Sequence, residues 1–170
     1  IVQDISRQKR FELALRESER RLSTLMDNLP GMAYRCLHQS KWPMEFVSEG
    51  CFSLTGHQPS DLTASDGIAY GNLIHPADIQ RVWEIVDGSV QKRQPFTMEY
   101  RIRTEGGQEK WVWEQGWGIW NCQGELVALE GFITDITARK QAESERLLLE
   151  KRMLQSQKLE SLCTLAGGIA

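Results

Sequence analysis

Residues 96–137 read FTMEYRIRTEGGQEKWVWEQGWGIWNCQGELVALEGFITDIT, and this stretch decides the fold. Phe96, Met98, Tyr100 and Ile102 alternate with Thr97, Glu99, Arg101 and Arg103, which is the period of a strand with one buried face and one wet face. Glu105-Gly106-Gly107-Gln108 supplies a hairpin turn. Residues 110–120 make the next strand, with Trp111, Trp113, Trp117 and Ile119 on one face and Val112 and Trp120 on the other. The tryptophan face is read as core or sheet packing, with an aromatic pocket or a dimer contact as the alternatives. Asn121-Cys122-Gln123-Gly124 turns again, and residues 125–136 are the last strand. Three strands joined by tight turns form an antiparallel meander.

Upstream, residues 32–37 and 44–47 read as short strands around Trp42-Pro43, and residues 50–56 as a helical turn. Asp78 can cap a helix with Ile79, Val82, Trp83, Val86 and Val90 at helical spacing, and Gln94-Pro95 ends it. Two strands, several short helices and a meander define an α+β domain with an antiparallel sheet.

Both flanks are helical. Phe11, Leu15, Ser18, Leu22, Leu25 and Leu29 recur at steps of 4, 3, 4, 3 and 4, a heptad seam that Leu29-Pro30-Gly31 stops. The seam suits either an amphipathic helix lying on its own domain or a parallel coiled coil with a second copy. Downstream, Leu148, Gln155, Leu162 and Ile169 are seven apart, Leu159 and Ala166 join them, and the seam breaks at Arg152 and Gln155. Asp4-Ile5-Ser6-Arg7-Gln8-Lys9 echoes Asp135-Ile136-Thr137-Ala138-Arg139-Lys140 at an offset of 131 residues. The echo predicts a strand end entering a helix at both places, the first being the close of a preceding domain.

The chain has 170 residues, a formal net charge of −3, 41% hydrophobic residues and 25% charged ones, the profile of one globular domain with appended helix. No Lys/Arg block grips phosphates, so nucleic acid is not an expected partner. Cys36, Cys51, Cys122 and Cys163 form no CxxC pair and are read as reduced thiols in a cytoplasmic protein. The chain opens on Ile1 and closes on Ala170 in mid-pattern, so a longer parent protein, free or membrane-tethered, is expected.

Asp27-Asn28-Leu29-Pro30-Gly31, Phe46-Val47-Ser48, Leu54-Thr55-Gly56-His57, Ile74-His75-Pro76-Ala77-Asp78, Glu99 to Arg103, Gly107, Trp111-Val112, Gly124, Gly131 and Asp135-Ile136-Thr137 together resemble the PAS family, in particular its bacterial sensor subgroup. The resemblance implies a five-stranded antiparallel sheet with short helices packed on it, an interior cavity, and flanking amphipathic signalling helices. Gln157 to Ala170 is similar to the start of the dimerisation helix of histidine kinases, whose next residue is the phosphoacceptor histidine. The implied organisation is the end of a preceding PAS-like domain at 1–5, a linker helix at 6–29, the PAS domain at 30–137 and a signalling helix at 138–170. The implied role is sensory input to a bacterial two-component phosphorelay, with a kinase domain and a response regulator downstream. The rival is a ligand-free dimerisation or spacer module with a filled core. A second rival, an enzyme, is not expected, since no phosphate loop, nucleophile–base pair or metal cluster stands in the sequence.

Alternation and helical spacing select Tyr34, Phe46, Phe52, Trp83, Met98, Tyr100, Trp113 and Ile133 as the candidate cavity lining. His38, His57 and His75 have no metal-ligand spacing, and no metal is expected. The helix after Asp78 holds no histidine and no cysteine stands in the flavin-reactive context, so haem and flavin are not expected, while an unidentified small-molecule ligand stays open. Asp135 and Thr137 are the expected joint, a carboxylate and an N-cap where strand becomes helix. Phe11, Leu15, Leu22, Leu25, Leu159, Leu162 and Ile169 are the expected contacts of a parallel homodimer.

Leu22→Asp places a charge in the N-terminal seam, where burial without a partner costs several kcal/mol. Sedimentation of the variant is expected to show a shift toward monomer, and an unchanged distribution would remove the seam from the dimer.

Overall fold

Every backbone N–H and C=O taken from water needs a partner, and the chain answers with one sheet and a set of helices. The computed structural model describes residues 2–27 and 29–168, so Ile169 of the expected seam lies outside the described residues. Helix α1 (Val2–Asp27) precedes β1 (Met32–Cys36), β2 (Met44–Val47), α2 (Gly50–Thr55), α3 (Pro59–Thr63), a 3-10 turn (Tyr70–Asn72) and α4 (Ile79–Gln91). The meander follows as β3 (Phe96–Arg103), β4 (Glu109–Trp120) and β5 (Leu126–Asp135), and α5 (Thr137–Gly167) closes the chain. Two compact units result, residues 1–135 and 136–170. The expected α+β architecture is the observed one: five strands in the order β2-β1-β5-β4-β3, with every neighbouring pair antiparallel.

The core lies on one face of this sheet. Helix α4 buries Val82, Val86 and Val90 against it, four residues apart as one helical stripe requires. Asp78 holds the expected N-cap position of α4, its carbonyl accepting the Val82 N–H at 2.9 Å, but its side chain makes no cap bond and ties the helix start to β3. Its carboxylate takes Arg101 Nε at 2.8 Å, Arg101 Nη2 at 3.0 Å and the Arg101 backbone N–H at 3.0 Å. A cap bond to a carboxylate is charge-assisted too, but the Arg101 pair adds an opposite charge and two-point geometry. Those hydrogen bonds hold the Asp78 carboxyl below its ordinary range.

Strand β4 departs from the sequence reading. Its core face is Val112, Glu114 and Gly116, and Trp111, Trp113 and Trp117 lie on the outer face, Trp117 with 48% of its surface exposed. Register explains the inversion. One row runs across the inner face from Val47 through Tyr34, Gly131 and Gly116 to Phe96. The two glycines at its centre leave a slot. A Cβ on Gly116 would meet Phe96 Cζ at 2.5 Å, and a Cβ on either glycine would meet the Tyr34 hydroxyl at 2.7 Å. The rings of Tyr34 and Phe96 occupy this slot, and a tryptophan-sized side chain in register there has no room.

Three local readings are also revised. Asp4-Ile5-Ser6 belongs to helix α1 and is not a strand end; a lone strand has no ladder partner, whereas a helix satisfies its backbone internally. Leu29 stands beyond the end of α1, its N–H bonded to Met26 O at 3.2 Å. Thr137 is the first helical residue of α5, and Ile136 holds the capping position, its carbonyl accepting the Lys140 N–H at 3.0 Å.

Gly116→Ala is expected to cost about 1–3 kcal/mol in denaturant unfolding, the penalty of overpacking. Gly88→Ala in α4, where a Cβ meets nothing within 4 Å, is expected to be stabilising by about 0.5–1 kcal/mol. Equal effects at the two sites would refute the slot.

Candidate functional site

The inner row beside the glycine slot carries Ile133, Glu114 and Met98 in register across β5, β4 and β3. A polar residue thus stands in an otherwise apolar row, and it is buried. Two tyrosines meet it from other strands. The Tyr34 hydroxyl, reaching across the slot from β1, donates to Glu114 Oε1 in a short hydrogen bond. Tyr100, one pleat along β3, donates to Glu114 Oε2 at 2.6 Å. Tyr70, in the 3-10 turn, stands with its hydroxyl 3.0 Å from that of Tyr100. The turn itself is anchored by the Gly71 N–H to Lys41 O at 2.8 Å.

This network borders an interior cavity of about 20 Å³. A void that size holds one or two water-sized groups. Around it stand the rings of Tyr34, Trp42, Tyr70, Phe96 and Tyr100, with aliphatic and sulfur-bearing side chains between them and no Lys, Arg or His in the lining. Burial raises the Glu114 carboxyl above its ordinary range, and the hydrogen bonds from Tyr100 and Tyr34 offset only part of that. Burial first, then the nearby Glu114 charge, raises the phenols of Tyr34, Tyr70 and Tyr100, which therefore stay protonated donors. The same two causes raise the Cys36 thiol.

Of the residues expected to line the cavity, Tyr34, Met98, Tyr100 and Ile133 surround it. Phe46 does not: a bulge in β2, where Glu45 has no partner on β1, puts both Met44 and Val47 inward and turns Phe46 outward, 46% exposed. Phe52 is 52% exposed because α2 buries Cys51, Leu54 and Thr55, the positions i, i+3 and i+4 that share its inner face. Trp113 lies on the outer sheet face for the reason already given. Trp83 stacks on His38 with ring centroids 5.0 Å apart and tilts against Trp42 at 5.4 Å, behind the cavity wall. Sequence reading missed Glu114, Tyr70 and Trp42. Glu114 stands one row from the paired glycines Gly116 and Gly131, a placement that only strand pairing reveals.

Elsewhere, Asp135 ends β5 with its carboxylate 3.2 Å from Lys110 Nζ, and Lys110 also donates to Ser53 O at 2.9 Å. Leu15, Leu22, Leu25 and Phe11 on α1 are exposed, as are Leu159 and Leu162 on α5. No group of three His, Cys, Asp or Glu side chains suited to a metal occurs among the described residues. No helix among them is long and apolar enough to cross a membrane.

These elements make an α+β domain, a five-stranded antiparallel sheet with helices packed on one face and a small cavity between them. A sequence model of the PAS fold matches residues 44–133, just over half of the chain, and the chain belongs to that family. A methyl sulfide methyltransferase-associated sensor of Methanosarcina acetivorans is 34% identical over 156 residues, which is 89% of this chain and 15% of that protein. An uncharacterised protein of Sinorhizobium fredii is 33% identical over 153 residues, 89% of this chain and 18% of that protein. The chain therefore spans under a fifth of the length of these curated relatives. Among solved structures, a sensory box histidine kinase/response regulator from Burkholderia thailandensis superposes with a TM-score of 0.62 at 24% identity, over 79% of this chain and 98% of that one. The N-terminal domain of a diguanylate cyclase with a PAS/PAC sensor from Marinobacter aquaeolei gives 0.56 at 18%, over 65% and 98%. At these identities the likeness is one of fold. The chain is a PAS sensory, signal-transduction domain.

The raised Glu114 carboxyl sets a pH dependence. A carboxyl that binds its proton more tightly folded than unfolded contributes stability that is full below the unfolded value of about 4.3 and lost as pH rises through the folded value. Glu114→Gln removes that slope. Unfolding free energies from pH 4 to 8 are expected to fall for the native chain relative to the variant, and parallel curves would show that Glu114 does not titrate in this window.

Proposed function

We propose that this domain is the sensory input of a bacterial sensor histidine kinase, acting as a parallel homodimer that biases kinase activity through α5. The observation that carries the reading is α5 itself: 31 residues of helix with no buried side chain, beginning two residues after Asp135 closes the sheet. A helix this exposed is not held by packing within its own unit, and its last turns carry the sequence that resembles the histidine-kinase dimerisation helix. The exposed leucines of α1 support the same reading. In it the chain is a non-catalytic relay working in the cytoplasm, its catalytic partner is the downstream kinase domain, and a response regulator receives the phosphoryl group. A ligand or partner moves the balance only by its differential affinity for the two states. The cavity of about 20 Å³ gives specific support to a second reading, a dimerisation or spacer module with a filled core.

Asp135 and Thr137 are the proposed relay joint, and neither reading of the cavity alters their position between strand and helix. Autophosphorylation of the full-length parent protein, with Asp135→Ala and Thr137→Ala, tests the relay. Both variants are expected to stay folded and to change the regulated rate by roughly 5- to 150-fold, the span of ordinary allosteric coupling. Wild-type regulation in both would place the relay elsewhere, and a parent without autophosphorylation would end the kinase reading.

A further inference from the structure

The cavity lining carries one carboxyl, Glu114, and no Lys, Arg or His to pair with it. Proton counting in the network favours the ionised carboxylate. Tyr34 and Tyr100 each donate to one Glu114 oxygen, so Tyr70 must donate to Tyr100. Three hydroxyl protons thus run toward one carboxylate, and each has an acceptor. A protonated Glu114 would add a fourth donor to a set made of donors, and one buried hydroxyl would lose its acceptor within the protein, an unfavourable exchange. A carboxylate offers about four acceptor sites, and the tyrosines use two. Glu114 is itself part of the lining of a cavity that includes no Lys, Arg or His.

The walls say what charge belongs there. Tyr34, Trp42, Tyr70, Phe96 and Tyr100 surround the void, and aromatic rings attract cations by their quadrupole, most strongly when desolvated. A carboxylate with free acceptor sites calls for a cation that donates hydrogen bonds. The volume, about 20 Å³, limits it to one or two heavy atoms. Sodium and potassium ions are the right size but donate nothing, and one carboxylate among aromatic rings is a poor oxygen cage for them. Water fits and donates but leaves the charge unbalanced.

We propose that this cavity is a binding site for a small protonated amine, of ammonium to methylammonium size, with Glu114 as its counter-ion and the tyrosine and tryptophan rings as its walls. Only the consequence of binding, a change in output, rests on the sensory reading above. Binding competes with protonation of Glu114, so affinity rises with pH through the carboxyl's titration. The other titratable groups facing it, Tyr34, Tyr70, Tyr100 and Cys36, are all pushed upward and stay neutral meanwhile.

The test titrates the full chain with ammonium, methylammonium, tetramethylammonium, sodium and potassium chlorides at constant ionic strength, following thermal unfolding and calorimetric heat. A saturable rise in Tm with ammonium or methylammonium alone is the expected result. Glu114→Gln should bind roughly ten- to a hundredfold more weakly, as the loss of hydrogen bonds to a charged group predicts, and Asp87→Asn on α4, outside the cavity lining, should bind as the native chain does. Because Glu114→Gln can perturb folding, the native chain is also examined with 15N-ammonium, whose bound protons should show Overhauser contacts to the Tyr34 and Tyr100 rings. Equal responses to all five salts, no binding to the native chain, or contacts to other residues would overturn the site. The phosphorylation assay is independent: binding without any change in autophosphorylation keeps the site and refutes its use as a signal, while regulation without binding refutes the site and keeps the relay.

Discussion

The carboxylate of Glu114, held from two sides by tyrosine hydroxyls, is the interaction around which the domain is organised. It joins β1, β4 and β3, and β1 reaches it only across β5. That reach exists because Gly131 and Gly116 are in register and leave a slot for the Tyr34 ring. The glycines serve the glutamate, and the glutamate fixes which face of β4 is inside. Burying a carboxyl is costly unless it is hydrogen-bonded, so this row admits few alternative packings and specifies one sheet register.

Strand boundaries and the alternation of β3 were legible because Phe96, Met98, Tyr100 and Ile102 follow the rule that apolar faces turn inward. The same rule failed one strand later. Three tryptophans face out and a glutamate faces in, an arrangement that composition along β4 alone argues against. Only pairing with β5 reveals it, and pairing is a long-range fact. Phe46 was misplaced by a bulge, which shifts parity within a strand of four residues. Phe52 was misplaced because a six-residue helix is too short for its inner face to be read from periodicity. Tyr70 lies in a 3-10 turn that carries no hydrophobic period at all. The fold was thus written in local pattern, whereas the cavity is assembled from residues whose roles depend on register and on turns.

The outer face of the sheet and the flanking helices share a trait. Trp117, Phe46 and Val127 are exposed on or beside the sheet, and α1 and α5 present leucines to solvent. In the proposed dimer these exposed apolar side chains are the surface available for burial. The domain is well packed where Glu114 sits and leaves apolar side chains exposed at its margins.

The pairing of Met32 with Ile133 has a consequence for how such chains grow. The first and last strands of the sheet are neighbours, so the polypeptide leaves the sheet beside the point where it arrived. A module with adjacent ends can be spliced into a longer chain, copied in tandem or removed, with little disturbance to what stands before and after it. Genes can therefore lengthen a receptor by whole sensing units, each folding around its own interior, in the way beads are added to a string already strung.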